Sequence, residues 1–141
     1  MATKADFSED EWKTMQKALT GAGMLVSMAD ADFTDTFGEV RALTKYLGEQ
    51  RERSESTLIR DLAAVHGSGF GMRASRDKVE AETLDALRSA AATLAAKAPD
   101  DAAAYRELVL GAANDVAEAK GGVKAGETAA IEKITAALGG A

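Results

Sequence analysis

The chain has 141 residues, and a length of about 100–200 residues is usual for one domain, so we predict a single domain over residues 1–141. It has no cysteine, which excludes disulfides, thiolate metal sites and cysteine nucleophiles. The 17 basic and 23 acidic residues give a net charge of −6 without a dense basic patch, which argues against nucleic acid as a partner.

Apolar runs in the sequence are short. No run approaches the roughly 20 apolar residues that a membrane-spanning helix needs. The amino-terminal stretch MATKADFSEDEW also lacks the apolar core of a signal peptide. We therefore expect a cytoplasmic protein without a membrane span, while peripheral association with a membrane stays open.

The composition predicts an all-α fold of six to seven helices. Alanine, the best helix former, is abundant, whereas aromatic residues make up only 5% and proline occurs once. The first helix begins at a capping box, in which the Ser8 oxygen accepts from the Glu11 amide and the Glu11 carboxylate accepts from the Ser8 amide. It carries Trp12 and Met15 inward, and it continues to Met28 as one bent helix or as two.

The next elements are two shorter predicted helices and a glycine-rich break. The second helix is capped by Thr34 or Thr36, and it ends at Gly48 or continues through the stretch EQRER. The third covers about residues 56–65. The stretch HGSGFGMR, residues 66–73, predicts a hinge, because a nucleotide-binding glycine loop would need a strand before it.

Three helices are predicted in the carboxyl-terminal half of the chain. The first covers residues 75–97, and Pro99 ends it. Asp100 or Asp101 caps the second, which ends at the glycine pair at 121–122, and the third covers about residues 124–138. Because the connections are short, we expect helices that are adjacent in sequence to pack as neighbours.

The two ends of the chain have similar sequence patterns, which predict a pair of pseudo-repeated helix hairpins. Each unit is an apolar helix, a polar turn and a second helix, and Asp32 to Glu39 has the same spacing as Lys120 to Glu127. The stretch VLGAANDVAEAKGGVKAGETAAIEKITAALG, residues 109–139, resembles the carboxyl-terminal helix pair of TerB-like proteins, the tellurite-resistance family. The residues that fit are Gly121, Val123, Glu127, Ile131, Ile134, Leu138 and Gly139. MLVSMADADFTDTFGEVRALTKYL, residues 24–47, is similar to the amino-terminal pair of that family.

The resemblance implies an all-helical fold with this duplication. It also implies a link to metal binding and to stress-response complexes associated with membranes. Two residues depart from the family pattern, since Lys120 replaces the turn aspartate and Ala31 replaces the glycine of the first turn. We therefore expect the first hairpin to supply most ligands of any bound cation.

The stretch MADADFTDTFGEV, residues 28–40, carries four carboxylates within ten residues. An EF-hand is excluded, because Asp35 replaces the glycine at position 6 of the calcium loop and Arg41 replaces the glutamate at position 12. A different site for a divalent cation of the Ca²⁺ or Mg²⁺ class stays open. Its candidate ligands are Asp30, Asp32, Asp35, Glu39, Glu118 and Glu127. The alternative is that these acids only favour the start of a helix, where the helix dipole attracts negative charge.

No nucleophile or acid–base set is apparent around His66, the single histidine, so we predict no enzymatic activity. The resemblance implies a non-enzymatic binding or scaffold protein of a tellurite-resistance or stress-response type with a protein partner. The alternative is a metal-free helical interaction module that forms homo- or hetero-oligomers. A homodimer would then form through the alanine-rich helix at residues 75–97. The resemblance does not place residues 48–100.

Overall fold

A computed structural model describes residues 3–28, 36–64, 75–119 and 125–139. A short 3-10 turn, Lys4–Asp6, precedes the α-helices of this part of the chain: α1 (Glu9–Met28), α2 (Thr36–Arg53), α3 (Thr57–Ala63), α4 (Arg76–Lys97), α5 (Pro99–Ala119) and α6 (Ala125–Ala137). The prediction of an all-α helical domain is therefore confirmed.

Serine side chains begin three of these helices. At α1 the predicted capping box is present, with the Glu11 amide donating to Ser8 Oγ at 3.1 Å and the Ser8 amide donating to Glu11 Oε1 at 2.8 Å. Ser56 Oγ accepts from the amide of Ile59 at the start of α3. Ser75 Oγ accepts from the amide of Lys78 at the start of α4. Each serine satisfies one amide that has no partner within the helix.

One predicted helix boundary is wrong, and the structure decides another that the sequence left open. The prediction that Asp100 or Asp101 caps the fifth helix is wrong, because α5 already begins at Pro99. Proline suits the first helical position, where its missing N–H is not needed, and the two aspartates then favour the dipole from the first turn. The helix α2 continues through Gly48 to Arg53, as the longer of the two predicted ends had it.

The helices α1 and α5 form the centre of the domain. Nearly every side chain of α1 from Ala18 to Ser27 is buried, so other helices surround it. The largest contacts join helices that are distant in sequence: α1 packs on α4 and α5, and α2 packs on α5. The described contact between α1 and α2 is smaller and includes Leu43 of α2 against Gly23 of α1. On the outside, α3 contacts α2 and α5, while α6 contacts α1, α4 and α5.

Buried residues follow the same spacing along α1 and along α5. The buried pairs, each ninety positions apart, are Met15 and Tyr105, Leu19 and Val109, Ala22 and Ala112, and Val26 and Val116. The first pair is in direct contact, since the Tyr105 hydroxyl donates to the main-chain oxygen of Met15 at 2.7 Å. The helices α1 and α5 thus meet in one shared core.

Candidate functional site

Most of the acidic turn lies outside the described residues. This applies to Asp30, Asp32 and Asp35, and also to His66 and the glycine-rich stretch at 66–73. Glu39 belongs to α2, but its side chain is likewise outside the described part. The cation-site hypothesis for this turn therefore stays a prediction.

The two remaining candidate ligands lie in different surroundings. Glu118 is exposed near the carboxyl end of α5, whereas Glu127 is fully buried in the first turn of α6. Carboxylates are rarely buried to this extent, and the first turn of a helix favours negative charge through its free amides. Within the described segments, no three His, Asp or Glu side chains come close enough together to hold a metal ion.

The crossing of α1 and α4 holds polar groups that sequence reasoning missed. Thr83 is fully buried on α4, and its hydroxyl lies against Gly21 of α1 so closely that a Cβ at this glycine would overlap it. Beside it, Lys17 Nζ lies 2.7 Å from Glu82 Oε1. The hydrogen bond from Lys17 lowers the pKa of Glu82, which keeps that carboxylate charged. A buried threonine facing a glycine has no local signature, because the two residues belong to helices far apart in sequence.

Lysines also join the ends of α4 to other helices. Lys133 of α6 pairs with Glu80, and Lys97 Nζ lies 2.6 Å from Glu11 Oε1. The hydrogen bond from Lys97, followed by that from the Ser8 amide, lowers the pKa of Glu11. The same lysine ammonium lies 5.9 Å from the centre of the Phe7 ring, which packs on Trp12. These charged groups hold α4 in place and are not arranged around a common point.

A further cluster lies where α2 meets α5. Tyr46 of α2 lies against Gly111, in the space that a side chain at this position would fill, and its hydroxyl donates to the main-chain oxygen of Glu107 at 3.4 Å. Asp115, Glu107 and Glu49 act electrostatically on the Tyr46 hydroxyl, and Glu118 and Lys45 act on Asp115. We call this group the acidic seam, and its members are Lys45, Tyr46 and Glu49 of α2 and Glu107, Asp115 and Glu118 of α5.

The electrostatics of the acidic seam follow from its composition. Burial, then Asp115, Glu107 and Glu49, raise the pKa of the Tyr46 hydroxyl. Burial, then Glu118 and Glu49, raise the pKa of Asp115, against the opposing effect of Lys45. The spacing of Glu107, Gly111 and Asp115 in steps of four was a usable sequence signal for one face of α5. Tyr46, which contacts this face from α2, lies some sixty positions away in the sequence, so the contact could not be predicted.

None of the helices in the described ranges is long and apolar enough to cross a membrane. In chemical terms, the described side chains cap helices, pair charges and fill a core. Comparison of the chain with protein-family models, with curated proteins and with solved structures gave no match.

Proposed function

We propose that this chain is a non-enzymatic binding or scaffold protein of the TerB-like type, which acts through a protein partner in tellurite resistance or a stress response. The resemblance of residues 24–47 and 109–139 to the helix pairs of that family supports the proposal. The observation that carries it is the packing of α2, from the first hairpin, chiefly on α5 of the second. This packing joins the two regions that resemble the family in one core.

The roles of the polar side chains favour binding over catalysis. Ser8, Ser56 and Ser75 begin helices, and Tyr105 joins α5 to the main chain of α1. Such groups stabilise the helices rather than meet at a reacting centre. The outer faces of the helices are then the surfaces that a partner protein would contact.

The proposal includes a divalent cation of the Ca²⁺ or Mg²⁺ class at the first hairpin turn. Asp30, Asp32, Asp35 and Glu39 are the oxygen ligands that such hard cations prefer. Glu127 is the candidate from the second hairpin, because its carboxylate is fully buried at the start of α6.

Scanning calorimetry with added Ca²⁺, Mg²⁺ or Zn²⁺ tests the cation. A bound ion stabilises the native state by about 2.7 kcal/mol at a free concentration one hundred times its Kd, so the melting temperature rises. The double variant Asp30→Asn with Asp32→Asn should lose this rise. The matched control, Asp10→Asn with Asp85→Asn, removes the same charge from exposed positions and should keep it. An unchanged melting temperature with every cation would contradict the cation site.

The metal-free interaction module is the second candidate function. The long α4 carries exposed alanines that permit a close approach of another helix, namely Ala81, Ala92, Ala95 and Ala96. Multi-angle light scattering over a range of concentrations distinguishes this candidate. A dimer without any response to cations supports it, and a monomer at high concentration removes the homodimer.

A further inference from the structure

The helix α4 has one side that no described helix covers. Its buried residues lie on the side towards α1, α5 and α6, and they are Val79, Thr83, Ala86, Leu87, Ala90 and Leu94. The opposite side of the helix is exposed to solvent. We call it the outer face of α4, and its central residues are Ala81, Asp85, Arg88, Ala92 and Ala95.

The residues of the outer face are spaced for contact with another helix. Successive members are four, three, four and three positions apart, which is the spacing that aligns the contact residues of two helices packed side by side. Three of the five are alanines. Because an alanine side chain is a single methyl, it lets two helix axes approach to about 8 Å.

The charged residues of the outer face, Asp85 and Arg88, pair within the helix at 3.0 Å. Their side chains are 80% and 61% exposed to water. Glu80 and Glu82, at the edges of the buried side, are instead paired with lysines of α6 and α1. The outer pair therefore does not join α4 to another described helix, and it is accessible to a partner.

A second copy of the chain matches this charge pattern in one orientation. When two outer faces meet antiparallel about a two-fold axis, Asp85 of each copy faces Arg88 of the other, and Ala81 faces Ala92. Each arginine then lies between the aspartate of its own helix and that of the second copy. A parallel arrangement would instead place Asp85 against Asp85 and Arg88 against Arg88, and like charges across an interface oppose association.

We infer that the outer face of α4 is a self-association surface, to which a second copy of this chain binds antiparallel with Asp85 against Arg88. The alanines alone would fit many helices, whereas the alternation of charge is complementary to itself. This inference rests on the second candidate function, the metal-free interaction module, and supplies its interface. One helix face on each copy is a small contact, below about 1,200 Å² in total, so the dimer is weak and forms at high protein concentration.

Pairwise disulfide cross-linking tests the orientation, because the chain has no cysteine of its own. An equimolar mixture of Ala81→Cys and Ala92→Cys should form covalent dimers on mild oxidation at high protein concentration. Either variant alone should lose this product, since its two thiols would lie about 16 Å apart along the antiparallel helices, beyond the reach of a disulfide. The control mixture of Asp10→Cys and Ala136→Cys, exposed positions on α1 and α6, measures random collision.

Charge reversal tests the pairing of Asp85 with Arg88. Asp85→Arg or Arg88→Asp alone places like charges across the two-fold axis and should raise the dissociation constant about tenfold, because both ion pairs of the dimer are lost together. The double variant Asp85→Arg with Arg88→Asp restores the complementarity and should recover the dimer. Sedimentation equilibrium measures the three constants, and circular dichroism verifies that each variant keeps its helices.

The outcomes separate this inference from the function on which it rests. A dimer in which Ala81→Cys cross-links to itself, or which is unaffected by both single charge reversals, overturns the inference but leaves the interaction module in place. A chain that stays monomeric at every concentration overturns both the inference and the homodimer.

Discussion

At the scale of single residues, the hydroxyl of Tyr105 joins the two central helices. It is fully buried and donates to the main-chain oxygen of Met15 at 2.7 Å. We expect Tyr105→Phe to lower the free energy of unfolding by about 0.5–1.5 kcal/mol, the usual net value of one such bond, as measured by urea denaturation. The control Tyr46→Phe removes a longer and more exposed bond, at 3.4 Å to Glu107, and should cost less. Equal losses would contradict the special role of Tyr105.

Glycines in the middle of helices have two opposite roles here. Gly21 lies against Thr83, so the added methyl of Gly21→Ala would overlap the threonine and cost about 1–3 kcal/mol. At Gly48 the space is open, since no described residue outside the neighbouring helix backbone lies within 4 Å of the place that a Cβ would occupy. We therefore expect Gly48→Ala to stabilise the chain by up to about 1 kcal/mol through helix propensity. Thermal unfolding of both variants measures the difference.

The double variant Gly21→Ala with Thr83→Ala checks the cause. Removing the threonine hydroxyl and methyl makes room, so the second substitution should recover part of the loss caused by the first. Without such recovery, the loss would come from the helix itself rather than from the contact between α1 and α4.

At the scale of elements, the serines that cap helices differ in whether they also make a hydrogen bond to another helix. Within the described residues, the Ser75 hydroxyl accepts from the amide of Lys78, whereas Ser56 accepts from Ile59 and also donates to Asp101 Oδ1 of α5 at 3.2 Å. We expect Ser75→Ala to cost about 1 kcal/mol and Ser56→Ala to cost more, because it also removes a bond between helices. Denaturant titration of the two variants gives the comparison, and a larger loss in Ser75→Ala would contradict it.

The helices themselves were largely predictable, because caps and apolar periodicity are local signals. Residues 75–97 contain both, and α4 begins one residue after its capping Ser75. The start of α5 was misjudged because Pro99 was interpreted only as an end, although proline also suits a first helical turn. The cation hypothesis depends on a turn outside the described residues, so no comparison can be made there.

At the scale of the whole molecule, the partners of each helix were not predictable. The short connections predicted that α1 packs mainly on α2. Side chains on all sides of α1 are buried, however, so several helices must surround it, and α4 and α5 make the largest contacts. The acidic seam is likewise a product of tertiary packing, since Tyr46 and Gly111 come together only where α2 crosses α5. The shared core depends on this crossing.

Paramagnetic relaxation from one spin label tests the crossing most directly. The chain has no cysteine, so Lys45→Cys places a single label on the exposed side of α2 next to the seam. Amide signals of α5 between residues 107 and 118 should then broaden more strongly than those of α1 between residues 12 and 22. Stronger broadening in α1 than in α5 would contradict the shared core.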